Sequence, residues 1–131
     1  MNQPPKHNAF IFNHKFDNEL LISLYEDDFP YIEEIFSITL KQLKPDIAIL
    51  KEAYASGNLP MLQKTVHKIK PSFGFVGLPH TQELCLQFEG SCGKAGNTNE
   101  LASQYTLLCT RLEDSVELIE TELAKLKAFN L

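Results

Sequence analysis

The sequence predicts an all-α fold: an up-and-down four-helix bundle with a short extra N-terminal helix. Three observations carry this. Apolar residues recur at spacings of three and four along most of the 131 residues, the mark of amphipathic helices. Cap and stop residues divide those stripes into segments joined by short turns, which keep neighbours antiparallel. No stretch shows clear period-two alternation beyond a weak patch at 9–12. The length suits one domain with one core.

Residues 1–15 hold Pro4, Pro5, His7, His14 and the apolar patch Phe10-Ile11-Phe12. They read as an irregular arm whose aromatics pack on the bundle, with the helical domain spanning 16–131. Asp17 caps a short helix through Leu20, Leu21, Leu24 and Tyr25. Asp27-Asp28 stops it and starts the next. In the second helix Ile32, Ile35, Phe36, Thr39, Leu40, Leu43, Ile47, Leu50 and Tyr54 share one face. Pro45 falls inside it, so a kink or break is expected there. Gly57 is the expected left-handed stop, with Asn58 as the following cap.

The third helix, about 59–76, repeats Leu59, Leu62, Val66, Ile69, Phe73 and Val76 on one face. Gly77-Leu78-Pro79 is a turn, with Pro79 near the start of the fourth helix. That helix carries Leu84, Cys85, Phe88 and Cys92 and is expected to fray through Gly90, Gly93 and Gly96. Asn97 and Glu100 form a start resembling a capping box. The last helix runs through Leu101, Tyr105, Leu108, Leu112, Ile119, Leu123 and Leu126, nearly a heptad stripe. A coiled coil is the alternative for that stripe, but the other helices need a partner for their own apolar faces.

Composition narrows the function. A hydrophobic share of 44% and a charged share of 22% describe an ordinary globular chain. A net charge of −5 argues against a nucleic-acid binder. Neither a membrane-spanning run nor a signal-peptide core is present, so a cytoplasmic location is expected. Cys85, Cys92 and Cys109 are an odd set without framework or zinc spacing, and read as buried, reduced thiols. Beginning at Met1 and ending soon after the last helix, the chain reads as free-standing.

One histidine stands out. At roughly 100° per residue, His67 points about 130° away from the centre of the third helix's apolar stripe. It faces solvent, with Lys70 one turn on and Gly74 two turns on along the same side. From Met61 to His80 there are three lysines, Lys64, Lys68 and Lys70, and no acidic residue. Such a patch attracts a partner whose site is rich in carboxylates. Neutral imidazole is a good nucleophile near neutral pH and holds a phosphoryl group as a phosphoramidate. Ser72 is expected to bond a backbone carbonyl. The sequence has no Gly-rich phosphate loop, Walker motif or kinase signature, so chemistry that draws on ATP is not expected of it.

The run His67-Lys68-Ile69-Lys70-Pro71-Ser72-Phe73-Gly74-Phe75-Val76-Gly77-Leu78 resembles the phosphoacceptor motif of histidine-containing phosphotransfer (HPt) domains. Leu84-Cys85 through Phe88-Glu89 resembles the segment that follows it. The resemblance implies a helical bundle whose exposed histidine accepts a phosphoryl group. His67 matches that phosphoacceptor, Lys70 its basic neighbour, and Gly74 the small residue that lets the partner approach. Pro71 stands where glycine is commoner, and Phe73 where a small residue is commoner. The implied partners are receiver domains of response regulators, with a hybrid sensor histidine kinase as a further candidate. Lys64, Lys68, Pro71 and Gly74 are the candidate docking residues. The Asp and Mg²⁺ of the reaction are expected on the receiver; the chain itself is expected to be a monomer, to need no cofactor or metal, and to touch neither nucleic acid nor membrane. The second function considered is a non-phosphorylated helical adaptor that binds a signalling partner. A metal-holding or enzymatic bundle is the third, disfavoured by four scattered histidines.

Overall fold

The computed structural model describes residues 9–131, so His7, Pro4, Pro5 and the rest of the first eight positions lie outside the described residues. Five helices follow one another: α1 (Asn18–Tyr25), α2 (Phe29–Ala55), α3 (Leu59–Phe75), α4 (Pro79–Lys94) and α5 (Ala102–Phe129), with a 3₁₀ turn at Thr98–Leu101 before α5. No strand occurs among the described residues, and the 9–12 patch is irregular. The expected bundle is formed by α2 to α5. Its tightest pairing is α3 with α4, and α5 packs on both α2 and α4. The α5 stripe is therefore covered by its own chain, and the coiled-coil alternative falls.

The helix starts follow their cap chemistry. The carboxylates of Asp17 and Asp28 and the side-chain oxygen of Asn58 accept the N–H of Leu20, Tyr31 and Met61, each three residues on. Both helix stops with positive φ on glycine are Schellman motifs. At Gly57, Asn58 N–H donates to the Ala53 carbonyl; at Gly77, Leu78 N–H donates to the Phe73 carbonyl at 2.8 Å.

Three local expectations need correction. Of the kink or break expected at Pro45, the break does not occur: α2 continues to Ala55. Pro45 is exposed, so the Lys41 carbonyl it leaves without a donor faces water, while buried Leu43, Asp46 and Ile47 hold both sides of it in place. α4 does not fray at Gly90 and Gly93 but continues to Lys94, because Phe88 and Cys92 are buried in its last turns. The cap of Asn97 forms, accepting from Glu100 N–H, yet the Glu100 carboxylate bonds Gly96 N–H rather than Asn97, and the turn it opens is 3₁₀.

The core is one cluster. Phe36, Leu50, Leu62, Val66, Phe73, Leu108, Leu112 and Ile119 are fully enclosed at its centre. The arm does pack on it: Phe12 is buried with its ring 6.1 Å from that of Phe36, and Phe16, just past the arm, lies 5.7 Å from the same ring. Asn13 N–H donates to the buried carboxylate of Glu122 at 2.6 Å, which ties the arm to α5. All three cysteines are free thiols, two buried and Cys109 half-buried. Burial pushes the Cys85 thiol up to about 12.

Candidate functional site

α3 is built so that one face is buried and the opposite face carries chemistry. Leu62, Thr65, Val66, Ile69 and Phe73 are buried, whereas the His67 side chain is 68% exposed. Its neighbour is α4, which runs antiparallel beside it. The register is regular: Gln63 faces Gly93, His67 faces Glu89, and Gly74 faces Gln82.

That register delivers a carboxylate to the imidazole. Glu89 Oε2 lies 2.6 Å from His67 Nδ1, and Glu89 Oε1 lies 2.7 Å from Lys70 Nζ. An ionised carboxylate only accepts, so Nδ1 carries the proton and donates it. In the neutral imidazole Nε2 is then the unprotonated nitrogen, on a side chain that is largely exposed. The hydrogen bond from Lys70 is the largest influence holding the Glu89 carboxyl below the usual carboxylate range; the His67 hydrogen bond and the charge of the Lys70 ammonium add to it, and partial burial opposes them. The sign follows. A depressed folded value means the Glu89 contacts stabilise the protein above the ordinary carboxylate range and are lost as pH falls through the lowered value. Acid therefore uncouples Glu89 from His67 and Lys70 together, and the loss is expected as a change in the imidazole ¹⁵N shifts of His67 in the acid range.

The remaining motif residues are placed as follows. Lys70 is mostly enclosed, its side chain 21% exposed. Lys68 is exposed, but its ammonium lies 3.2 Å from the nearly buried carboxylate of Asp46 on α2. Lys64 is exposed and forms no ion pair among the described residues. The open basic patch is thus corrected: it is acid-free only along α3, and α2 and α4 bring Asp46 and Glu89 onto two of its three lysines. Pro71 is exposed and leaves the His67 carbonyl without its helical donor, yet α3 continues to Phe75. Ser72 makes no side-chain hydrogen bond among the described residues, contrary to expectation.

Gly74 is not bare to solvent. A Cβ there would lie 2.8 Å from Gln82 Oε1, so the Gln82 amide covers the position. Since that amide is the end of a flexible chain, Gly74→Ala is expected to change stability by less than about 1 kcal/mol, the helix-propensity gain offsetting the displacement of Gln82. Thermal melting checks this.

Glu89, Gln82 and Asp46 were not found from sequence. A signal existed for two of them. Gln82 and Glu89 are seven apart, as are His67 and Gly74, and an antiparallel neighbour makes equal separations coincide. Among the described residues no group of three or more His, Cys, Asp or Glu is placed to hold a metal ion. None of their helices is long and apolar enough to cross a membrane.

Comparison with known proteins bears on the fold and the family. The HPT domain of a sensor hybrid histidine kinase from Shewanella is similar in structure, with a TM-score of 0.74 at 18% identity. The match covers 86% of this chain and 96% of that one, and at this identity it speaks for the fold. No curated protein matches the chain. The sequence profile of the Hpt domain matches residues 34–128, which includes α3, α4 and the whole His67 site. The chain therefore belongs to the Hpt domain family, and its role lies in the phosphotransfer of two-component signalling.

Proposed function

We propose that this protein is a phosphorelay intermediate that accepts a phosphoryl group on His67 Nε2 from a phospho-aspartyl receiver domain and passes it to another. The observation that carries the reading is the Nδ1–Glu89 hydrogen bond on an otherwise exposed imidazole. It fixes the tautomer and leaves Nε2 as nucleophile. In the forward step the Nε2 lone pair forms the N–P bond while the P–O bond to the aspartyl carboxylate breaks and that carboxylate leaves. The ring becomes a phospho-imidazolium, and its positive charge stays next to the Glu89 carboxylate. The reverse step regenerates the same neutral tautomer, so no proton need enter or leave. The aspartate and Mg²⁺ belong to the receiver, and the chain supplies neither ATP chemistry nor a cofactor.

Lys70 acts through two contacts. It fixes Glu89, and it places positive charge beside the phosphoryl oxygens. Lys70→Ala is expected to slow uptake without removing it. Lys70→Glu, which sets a second carboxylate against Glu89, slows it further. An unchanged rate in Lys70→Glu would refute the role. Glu89→Gln is expected to slow uptake by roughly 10–100-fold, the usual scale for a partner that orients a reactive imidazole. Imidazole ¹⁵N shifts should show the Nδ1–H tautomer in the native protein and a mixture in the variant; an unmixed Nδ1–H tautomer in Glu89→Gln would count against the positioning role.

Lys64, Lys68, Pro71 and Gly74 frame the docking face around His67. Exposed Phe75 and Leu86 add apolar surface to it, and a Cβ at Gly90 would meet nothing within 4 Å, so α4 presents a flat approach there. Transfer from a phosphorylated receiver tests the face. Gly74→Arg is expected to impair that transfer more than labelling by a small phosphodonor such as phosphoramidate, which needs less room.

A further inference from the structure

The seam between α3 and α4 is not symmetric about His67. Toward the end of α3 its polar groups are spent or distant: Lys70 is held by Glu89, and Gln82 lies over Gly74, two turns away. One turn before the histidine stand Gln63 and Lys64. At roughly 100° per residue they point about 40° and 60° to either side of the His67 direction, so they flank it. Residues three and four apart on a helix have Cβ atoms only about 5–6 Å from each other. Opposite this pair α4 carries no side chains. A Cβ on Gly93 would lie 3.3 Å from Gln63 Nε2, and a Cβ on Gly90 would meet nothing within 4 Å. Both glycines are exposed and lie inside α4, where glycine is unfavourable. Together they leave an open notch beside the imidazole, bordered by the Gln63 amide.

The donors at this notch are uncommitted. The Gln63 amide makes no side-chain hydrogen bond among the described residues. Of the three lysines on α3, Lys68 is held by Asp46 and Lys70 by Glu89, while Lys64 forms no ion pair among the described residues. The one carboxylate on the seam, Glu89, has both oxygens turned to His67 and Lys70. A helical side chain leans toward the N-terminus of its helix, so the imidazole, and any group bound to it, leans toward Gln63 and Lys64. An ammonium and an amide NH₂ donate, and phosphoryl oxygens accept.

We infer that Gln63 and Lys64, facing Gly90 and Gly93, form a phosphoryl-binding notch that donates hydrogen bonds to the phosphoryl oxygens of phosphorylated His67. The inference rests on the phosphoacceptor reading of His67. It adds a site on this chain that stabilises the phosphorylated form after the receiver and its Mg²⁺ have left. Lys70 contributes its charge from the other side, with its ammonium kept on Glu89.

The equilibrium constant for transfer between a phosphorylated receiver and the full chain tests it, read from the label on each protein when exchange is complete. Docking contacts change the forward and reverse rates together and cancel from this constant. Contacts to the phosphoryl group in the free protein change the constant itself. Lys64→Gln and Gln63→Leu are each expected to shift label back to the receiver by about three- to tenfold, the scale of one hydrogen bond. Lys127→Gln, at the end of α5, removes the same charge elsewhere and should leave the constant unchanged. In ³¹P spectra the titration of the phosphohistidine should move to higher pH in Lys64→Gln, because the ammonium favours the more highly charged phosphoryl form. A native constant in both variants, with transfer only slower in both directions, overturns the notch and makes the two residues docking contacts. An equal fall in Lys127→Gln also overturns it. A native protein that takes no label on His67 overturns the phosphoacceptor reading, and the notch with it.

Discussion

His67→Gln abolishes phosphoryl uptake while leaving the fold intact. Glutamine keeps a polar side chain of similar reach but has no nucleophilic nitrogen, because its amide lone pair is delocalised into the carbonyl. The side chain it replaces is largely exposed and touches the protein chiefly through Glu89. Glu89 keeps Lys70 as its partner when the imidazole is gone, so no buried charge is orphaned. Stability is therefore expected to change by less than about 0.5 kcal/mol, as for surface positions generally. The check is a pair of measurements on one preparation: label transferred from a phosphorylated receiver, and thermal melting. Retained label would move the acceptor to another histidine. A large drop in melting temperature would mean that His67 is structural.

Gly77→Ala does the opposite, leaving the chemistry and striking the fold. Gly77 has φ 76°, where an L-residue costs roughly 1–2 kcal/mol. It is also buried, and a Cβ there would lie 2.8 Å from Leu21 Cγ and 3.0 Å from Leu21 Cδ1. Leu21 is completely enclosed and has no free direction in which to move, so overpacking adds about 1–3 kcal/mol. The Gly77 carbonyl accepts Asp17 N–H, which ties α1 to the α3–α4 turn, and a shifted backbone would strain that contact too. The expected total is about 2–5 kcal/mol, lowering the melting temperature by roughly 10 °C or more. The folded fraction should still accept phosphate on His67. A melting temperature equal to the native one would show that the turn relaxes freely, and that the close approach of α1 is not what requires glycine. The contrast with Gly74 is instructive, since there the obstructing atom is the movable end of Gln82.

The bundle was legible because its signals are local. Asp17, Asp28 and Asn58 cap through their own side chains, Gly57 stops its helix at positive φ, and apolar spacing names the buried faces. The exposure of His67 followed from the same spacing. Where sequence reasoning failed, tertiary contact outweighed local preference. Pro45 and the α4 glycines are unfavourable in a helix, but burial of their neighbours Leu43, Ile47, Phe88 and Cys92 holds the helices through them. The candidate site was half legible. His67 and Lys70 lie on one helix, so their shared face could be derived. Glu89 and Asp46 come from other helices, and a count of charges along α3 alone could not show that Lys70 and Lys68 are paired.

The central claim is that Glu89 holds the proton on Nδ1 so that Nε2 of His67 takes the phosphoryl group. Phosphorylating the ¹⁵N-histidine-labelled protein with a phosphorylated receiver and Mg²⁺, then recording imidazole ¹⁵N and ³¹P spectra, tests it directly. The account predicts one phosphohistidine, on His67, with phosphorus coupled to Nε2 and a proton retained on Nδ1. Phosphorus on Nδ1, on another histidine, or on no histidine at all would contradict it.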